Sequence, residues 1–265
     1  MLQRAASAAS SALRFLDAST QRLLGSPVPR PLEANPFAGL LPWELTSKAA
    51  LSCSDHTKDG SLDEEYAKLL MDFAGVVVIP KAVDGVVAAA CNAAADALTE
   101  GVRTLVASRG VDPDGAEGFS FRGAHQRDPG RLDIRNHFAM DEAPFDHPSL
   151  CAEALWLPIV RGVLGGDAVL LWKGVVVTDP GCEDQAYHPD GPPLSREAWE
   201  AASGEAPPPG PTLPPHCLTV FVPLVPLTAA NGPTAFLPGT HHASAAATLE
   251  AEAQHAGENA GARGN

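Results

Sequence analysis

From Ala168 onward the chain breaks into short apolar runs set between turn signals: AVLLWKGVVVT, then CLTVFVPLVPL, then TAFLP. Runs of this length, rich in β-branched residues, read as strands, and their spacing predicts an antiparallel sheet or barrel. Pro223 and Pro226 lie inside the second run. Neither can donate to a ladder, so that run is expected at a sheet edge or at a bulge. Residues 191–215 carry Pro207, Pro208, Pro209, Pro211, Pro214 and Pro215, the composition of a long loop that could lie over a barrel mouth as a lid.

The N-terminal half reads differently. Leu62, Tyr66, Leu69, Leu70 and Phe73 recur near helical spacing, predicting a helix over 62–73. Val76-Val77-Val78-Ile79 is β-branched throughout and stops at Pro80, as expected of a buried strand. Val83 to Ala107 reads as a long Ala-rich helix, residues 108–150 as loops dominated by Gly, Asp, Arg and Pro, and Ser149 to Val163 as a further short helix. Pro31, Pro36 and Pro42, followed by a polar stretch ending in Asp59-Gly60, mark residues 31–60 as a linker or an irregular packing arm.

At 265 residues with 45% apolar composition, the chain can build one sizeable core. A net charge of -14 excludes a nucleic-acid surface, which needs clustered Lys and Arg to displace counterions from phosphates. The expected partner is a small molecule. The five cysteines (Cys53, Cys91, Cys151, Cys182, Cys217) are odd in number and form no C-x-x-C pair, which argues against a disulfide framework or a structural zinc site and for a reducing, intracellular compartment. No apolar run reaches 18 residues, so no membrane span is expected. The first thirty residues carry Arg4, Arg14, Arg22 and Arg30 against one acid, Asp17, and are rich in Ala and Ser. That is the composition of a mitochondrial or plastid transit peptide, and equally of an N-terminal surface helix in a cytoplasmic protein. Either way they are expected to be dispensable for the core.

The stretch that bears chemistry is DPGCEDQAYHPDG, residues 179–191. On an extended chain, residues two apart point to one face, so His188 and Asp190 could grip one metal ion. One His, one carboxylate and a second His make the facial triad of non-haem Fe(II) oxygenases, which leaves three coordination positions open. With nine histidines in the chain, H-x-D alone is a short pattern, and a polar surface turn is the alternative. Its setting, after a strand and a Pro-Gly turn and before further strands, gives it weight.

In this setting the sequence resembles the phytanoyl-CoA dioxygenase family. The resemblance rests on PGCEDQAYHPDG, on LTVFVPLVPL, on ANGPTAFLPGTHH (residues 230–242) and, less sharply, on FAGVVVIPKAVDG near residues 73–85. It implies a mostly β fold with flanking helices, a double-stranded β-helix or jelly roll of the cupin kind. It implies Fe(II) as cofactor, 2-oxoglutarate as co-substrate, and hydroxylation of a small organic molecule such as a lipid or an acyl-CoA. Carried over residue by residue, His188 and Asp190 become the first two iron ligands. Phe221 falls where the family places an aromatic lining the 2-oxoglutarate pocket, though a strand Phe is also ordinary core. His241, in Pro238-Gly239-Thr240-His241, matches the signature histidine near the site that is generally not the third ligand; His241 and His242 would otherwise cap a strand end. Gln185 either orients a ligand or is a turn residue. No general acid or base is assigned.

The family's third ligand is a His at the end of a later strand, followed by an Arg that pairs with the distal carboxylate of 2-oxoglutarate. After His242 only 23 residues remain, ASAAATLEAEAQHAGENAGARGN, with no strand pattern. His255 and Arg263 match the distal motif imperfectly, so the jelly roll is expected to be incomplete at its C-terminus. On this reading residues 1–60 are a transit peptide and linker, 61–242 the dioxygenase-like domain and 243–265 an Ala/Gly-rich tail. Two rivals stay open: a zinc hydrolase, for which no H-E-x-x-H is present, and a jelly-roll binding module without chemistry. Substrate and oligomeric state are not specified by the sequence.

Overall fold

The structure is a computed structural model. It describes residues 8–16 (backbone only), 51–53, 62–115, 117–121, 123–135, 140–188, 190, 194–204, 206–207, 209 and 213–241. Expectations that fall on His242, His255 and Arg263 lie outside these residues. The chain divides into two units. One comprises Met1–Ala18, Lys81–Pro193 and His216–Thr234, the other Ser19–Pro80, Leu194–Pro215 and Ala235–Asn265.

The first unit carries an antiparallel sheet of six strands: β1 (Ala8–Leu16), β2 (Phe119–Phe121), β3 (Ala124–Asp128), β4 (Arg131–Arg135), β5 (Val169–Thr178) and β6 (Cys217–Pro223), in the order β2-β3-β4-β5-β1-β6. Its best-buried rungs pair Leu132 with Val177 and Ile134 with Val175, all four at most 2% exposed. Apolar residues directly opposite one another on the buried face are what fix a register, because a one-residue slip would turn them all to solvent. Gly174 is required here: a Cβ on it would lie 2.8 Å from the Ile134 carbonyl oxygen.

Two expectations fail in this unit. The region 108–150, read as loops, contains the three-stranded meander β2-β3-β4. Its strands are only three to five residues long and two of them carry charge, yet RLDIR alternates, with Leu132 and Ile134 buried and its Arg and Asp residues only partly so. Ala8–Leu16, for which the alternative to an address was a surface helix, forms β1 and not a helix, pairing with β5 on one side and β6 on the other. Helical propensity is a weak prior, and two ladders of main-chain hydrogen bonds outweigh it.

Flanking helices complete the unit. In α2 (Gly85–Ala107), Asp84 caps the N-terminus by accepting from Val86 N–H at 2.7 Å. Its buried residues Cys91, Ala95, Thr99, Val102 and Val106 recur every three or four positions, one face of a helix. The helix expected over 149–163 resolves into a 3-10 turn, Pro148–Leu150, and α3 (Leu157–Leu164), which buries Ile159, Val160 and Leu164. Among the described residues no helix is long and apolar enough to cross a membrane.

The second unit contains α1 (Glu64–Ala74), capped by the Asp63 carboxylate on Tyr66 N–H at 3.0 Å and ended by Gly75 at φ +72°. Leu70 and Ala74 are its buried centre, packed by Leu51, Tyr66, Leu69, Phe73, Val76 and Val77. The strand expected over Val76 to Ile79 reduces to one parallel bridge, Ser52 to Val78. The proline-rich loop holds α4 (Arg196–Ser203), capped by Ser195, with Trp199 buried. TAFLP forms no strand.

Candidate functional site

The chain leaves β5 at Thr178 and turns at Pro180-Gly181, where φ at Gly181 is +89°. Beyond the turn, residues 182–188 run as an arm without regular secondary structure. Its root is fastened to the hairpin between β3 and β4. Asp179 N–H donates to the Gly130 carbonyl at 2.8 Å, Cys182 Sγ to the Pro129 carbonyl at 3.1 Å, and Arg131 to the Glu183 carbonyl at 2.9 Å. Arg131 also pairs with Asp128 at 2.7 Å, and the Arg103 guanidinium, from α2, pairs with the Asp179 carboxylate. Asp114, Pro129, Gly130, Asp179, Pro180, Gly181 and Cys182 line a hollow of about 300 Å³ at this root.

Past Glu183 the arm is exposed, and it presents His188 and Asp190 to solvent. The His188 ring faces the Ala186 carbonyl oxygen through Nδ1 at 2.8 Å. A carbonyl only accepts, so Nδ1 carries the proton, and in the neutral ring the lone pair sits on Nε2. That is the pattern of a metal-ligating histidine, whose other nitrogen donates to a carbonyl or carboxylate. The donor chemistry therefore fits a divalent iron: one imidazole nitrogen and one carboxylate two residues on. Among the described residues no group of three or more His, Cys, Asp or Glu could hold a metal ion.

The remaining expected residues are spread through the chain. Phe221 is half-buried in the middle of β6, opposite Ala12 of β1, with β1 standing between β6 and β5. Gln185 is exposed on the arm. His241 lies in the second unit, where it serves α1: its Nε2 donates to the Asp72 carbonyl at 2.9 Å, and Gly239 N–H donates to the Ala74 carbonyl at 2.7 Å. The PGTH turn thus satisfies two of the carbonyls that any helix leaves open at its C-terminus. Sequence reasoning missed Arg103, Arg131 and Asp179. The one available signal was the alternation in RLDIR, which assigns Leu132 and Ile134 to the core and Arg131 to the other face.

A family model described as phytanoyl-CoA dioxygenase matches residues 71–262, a span that includes the arm, β5, β6 and His255 but neither β1 nor Arg263. No solved structure matches the chain.

Proposed function

The chain belongs to the phytanoyl-CoA dioxygenase family, and from that premise we propose that it is an Fe(II)- and 2-oxoglutarate-dependent oxygenase that hydroxylates a small organic substrate of the lipid or acyl-CoA kind. His188 and Asp190 are two of its iron ligands. The observation that supports this reading is the Nδ1 contact of His188 with the Ala186 carbonyl, which would leave the Nε2 lone pair for a metal, with the exposed Asp190 two residues on. Bound iron would supply oxidative decarboxylation of 2-oxoglutarate coupled to hydroxylation.

The chain's own part is to hold that ion and shape the space around it. His188 donates a neutral nitrogen held in one tautomer, and Asp190 supplies the charge that an oxygen-preferring cation needs. Phe221 gives the co-substrate an apolar wall. The antiparallel sheet with its flanking helices is proposed as part of a jelly roll formed by residues 61–242 and joined by β1, with 243–265 as a tail. His255, inside the family match, is the candidate for the third ligand and Arg263 for the partner of the distal carboxylate. The compartment proposed is intracellular.

Anaerobic titration of Fe(II) into the full chain tests the assignment. His188→Ala and Asp190→Ala should each weaken binding at least about tenfold, since each deletes one of at most three protein donors. Asp190→Glu should also impair it, because the longer arm misplaces the oxygen. Unchanged affinity in both alanine variants removes the metal site. Succinate release from 2-oxoglutarate with Fe(II) and ascorbate then tests turnover, and an iron-binding chain that forms no succinate is a binding module instead.

A further inference from the structure

The root of the arm that carries His188 and Asp190 is gripped by the tip of the β3–β4 hairpin. Four consecutive residues, Asp128-Pro129-Gly130-Arg131, form this grip on the root of the arm. The Gly130 carbonyl accepts from Asp179 N–H at 2.8 Å, the Pro129 carbonyl accepts from Cys182 Sγ at 3.1 Å, and Arg131 donates to the Glu183 carbonyl at 2.9 Å. Arg131 is itself fixed in place, because its other terminal nitrogen is bound to Asp128 at 2.7 Å and its side chain is only 15% exposed. One planar guanidinium thus spans two acceptors, which the single ammonium of a lysine cannot match in the same geometry. Packing leaves no slack. Gly130 sits at φ +73°, and a Cβ there would lie 2.8 Å from Cys182 Sγ.

We propose that this hairpin tip, with Arg131 as its principal positioning residue, sets where the metal-ligand arm leaves the sheet and so where His188 and Asp190 can reach. The inference rests on the metal reading above. Among the described residues beyond Glu183 no ladder holds the arm, because regular pairing of β5 ends at Thr178, where Arg131 and Ala8 are the partners. A ligand pair on an untethered chain must be ordered when the ion binds, and that entropy is subtracted from affinity. A tip that orders the root in advance removes part of this cost. Arg103, which pairs with the Asp179 carboxylate at the start of the turn, holds the same root from α2.

The test compares Arg131→Ala, Arg131→Lys and Cys182→Ala in the full chain, with His188→Ala as reference. Hydrogen–deuterium exchange of residues 183–188 is read without metal, and Fe(II) affinity is read by anaerobic titration. Arg131→Ala should speed exchange in 183–188 and weaken Fe(II) about tenfold, the effect of losing a charge-assisted hydrogen bond. Arg131→Lys should recover only part of both. Cys182→Ala, which deletes one grip and leaves the hairpin intact, should move both readouts in the same direction by less, and it serves where Arg131→Ala does not fold. Unchanged exchange, or faster exchange with unchanged affinity, overturns the proposal. Fe(II) affinity that His188→Ala leaves unchanged removes the His188 ligand and the positioning role with it. Binding that His188→Ala abolishes and the Arg131 and Cys182 variants leave untouched overturns only the clamp.

Discussion

His241 donates its Nε2–H to the carbonyl oxygen of Asp72, 2.9 Å away and 169 residues earlier in the chain. This histidine closes the Pro238-Gly239-Thr240-His241 turn, and its contact is to the open end of a helix. With Nε2 donating to that carbonyl, the ring holds the C-terminal turn of α1.

His241→Ala should therefore cost stability and leave metal binding alone. Deleting one side-chain hydrogen bond to a helix-end carbonyl should destabilise the chain by about 1 kcal/mol in urea unfolding. Fe(II) affinity should stay within about twofold of the parent. A variant of normal stability that binds iron poorly would place His241 at the metal instead.

Gly75→Ala should be worse. Gly75 is at φ +72°, and an added Cβ would lie 2.3 Å from His241 Nδ1, so the substitution strains the backbone and evicts the cap together. A loss of about 2 kcal/mol or more is expected. Because both variants remove one interaction, their effects should not add. A double-mutant cycle in which Gly75→Ala and His241→Ala sum fully would show that the two residues are not coupled.

What the sequence made legible follows the strength of its periodic signals. The long helix ending at Ala107 was readable because the run from Val83 is rich in Ala, a strong helix former, while its buried face of Cys91, Ala95, Thr99, Val102 and Val106 and its Asp84 cap came from the structure. The run VLLWKGVVVT was readable because it is long and β-branched. The β2-β3-β4 meander was not, since its short strands owe their existence to pairing with β5, and pairing partners are set by tertiary contacts that local composition does not encode. For the same reason the arm's grip was hidden: Arg131 and Glu183 lie 52 residues apart, and the acceptor is a main-chain carbonyl. His188 and Asp190 were legible as residue types in a motif, whereas the tautomer that frees Nε2 needed the position of the Ala186 carbonyl.

The composition of the N-terminus reads as dispensable, and its place in the sheet says otherwise. Ala8–Leu16 pairs with β5 and β6 at once, so removing residues 1–18 opens two strand edges inside a six-stranded sheet. Open edges lose ladder bonds and invite pairing with other chains. The truncated protein should melt at least about 5 °C lower, or aggregate at concentrations where the full chain does not. An unchanged melting temperature would show that β1 adds nothing to the sheet.

Alkaline pH offers a test centred on Cys53 of the second unit. Cys53 is 1% exposed, and burial, aided by the nearby Asp63 carboxylate, pushes its thiol from an ordinary 9.0 to about 11. Burial moves Cys91 of the first unit in the same direction. A thiol that resists ionisation when folded binds more protons in the native state than in the unfolded chain between those two values. Its contribution to stability is therefore fully present below about pH 9 and is lost as pH rises through about 11. Unfolding free energy, measured in urea from pH 8 to 11, should fall across this window, and Cys53→Ala should flatten the slope while lowering stability at pH 8 through lost packing. Labelling should agree: at pH 8 a thiol reagent should leave Cys53 unmodified in the native chain and modify it at once in urea. A slope in Cys53→Ala as steep as in the parent would mean that other groups carry the alkaline loss.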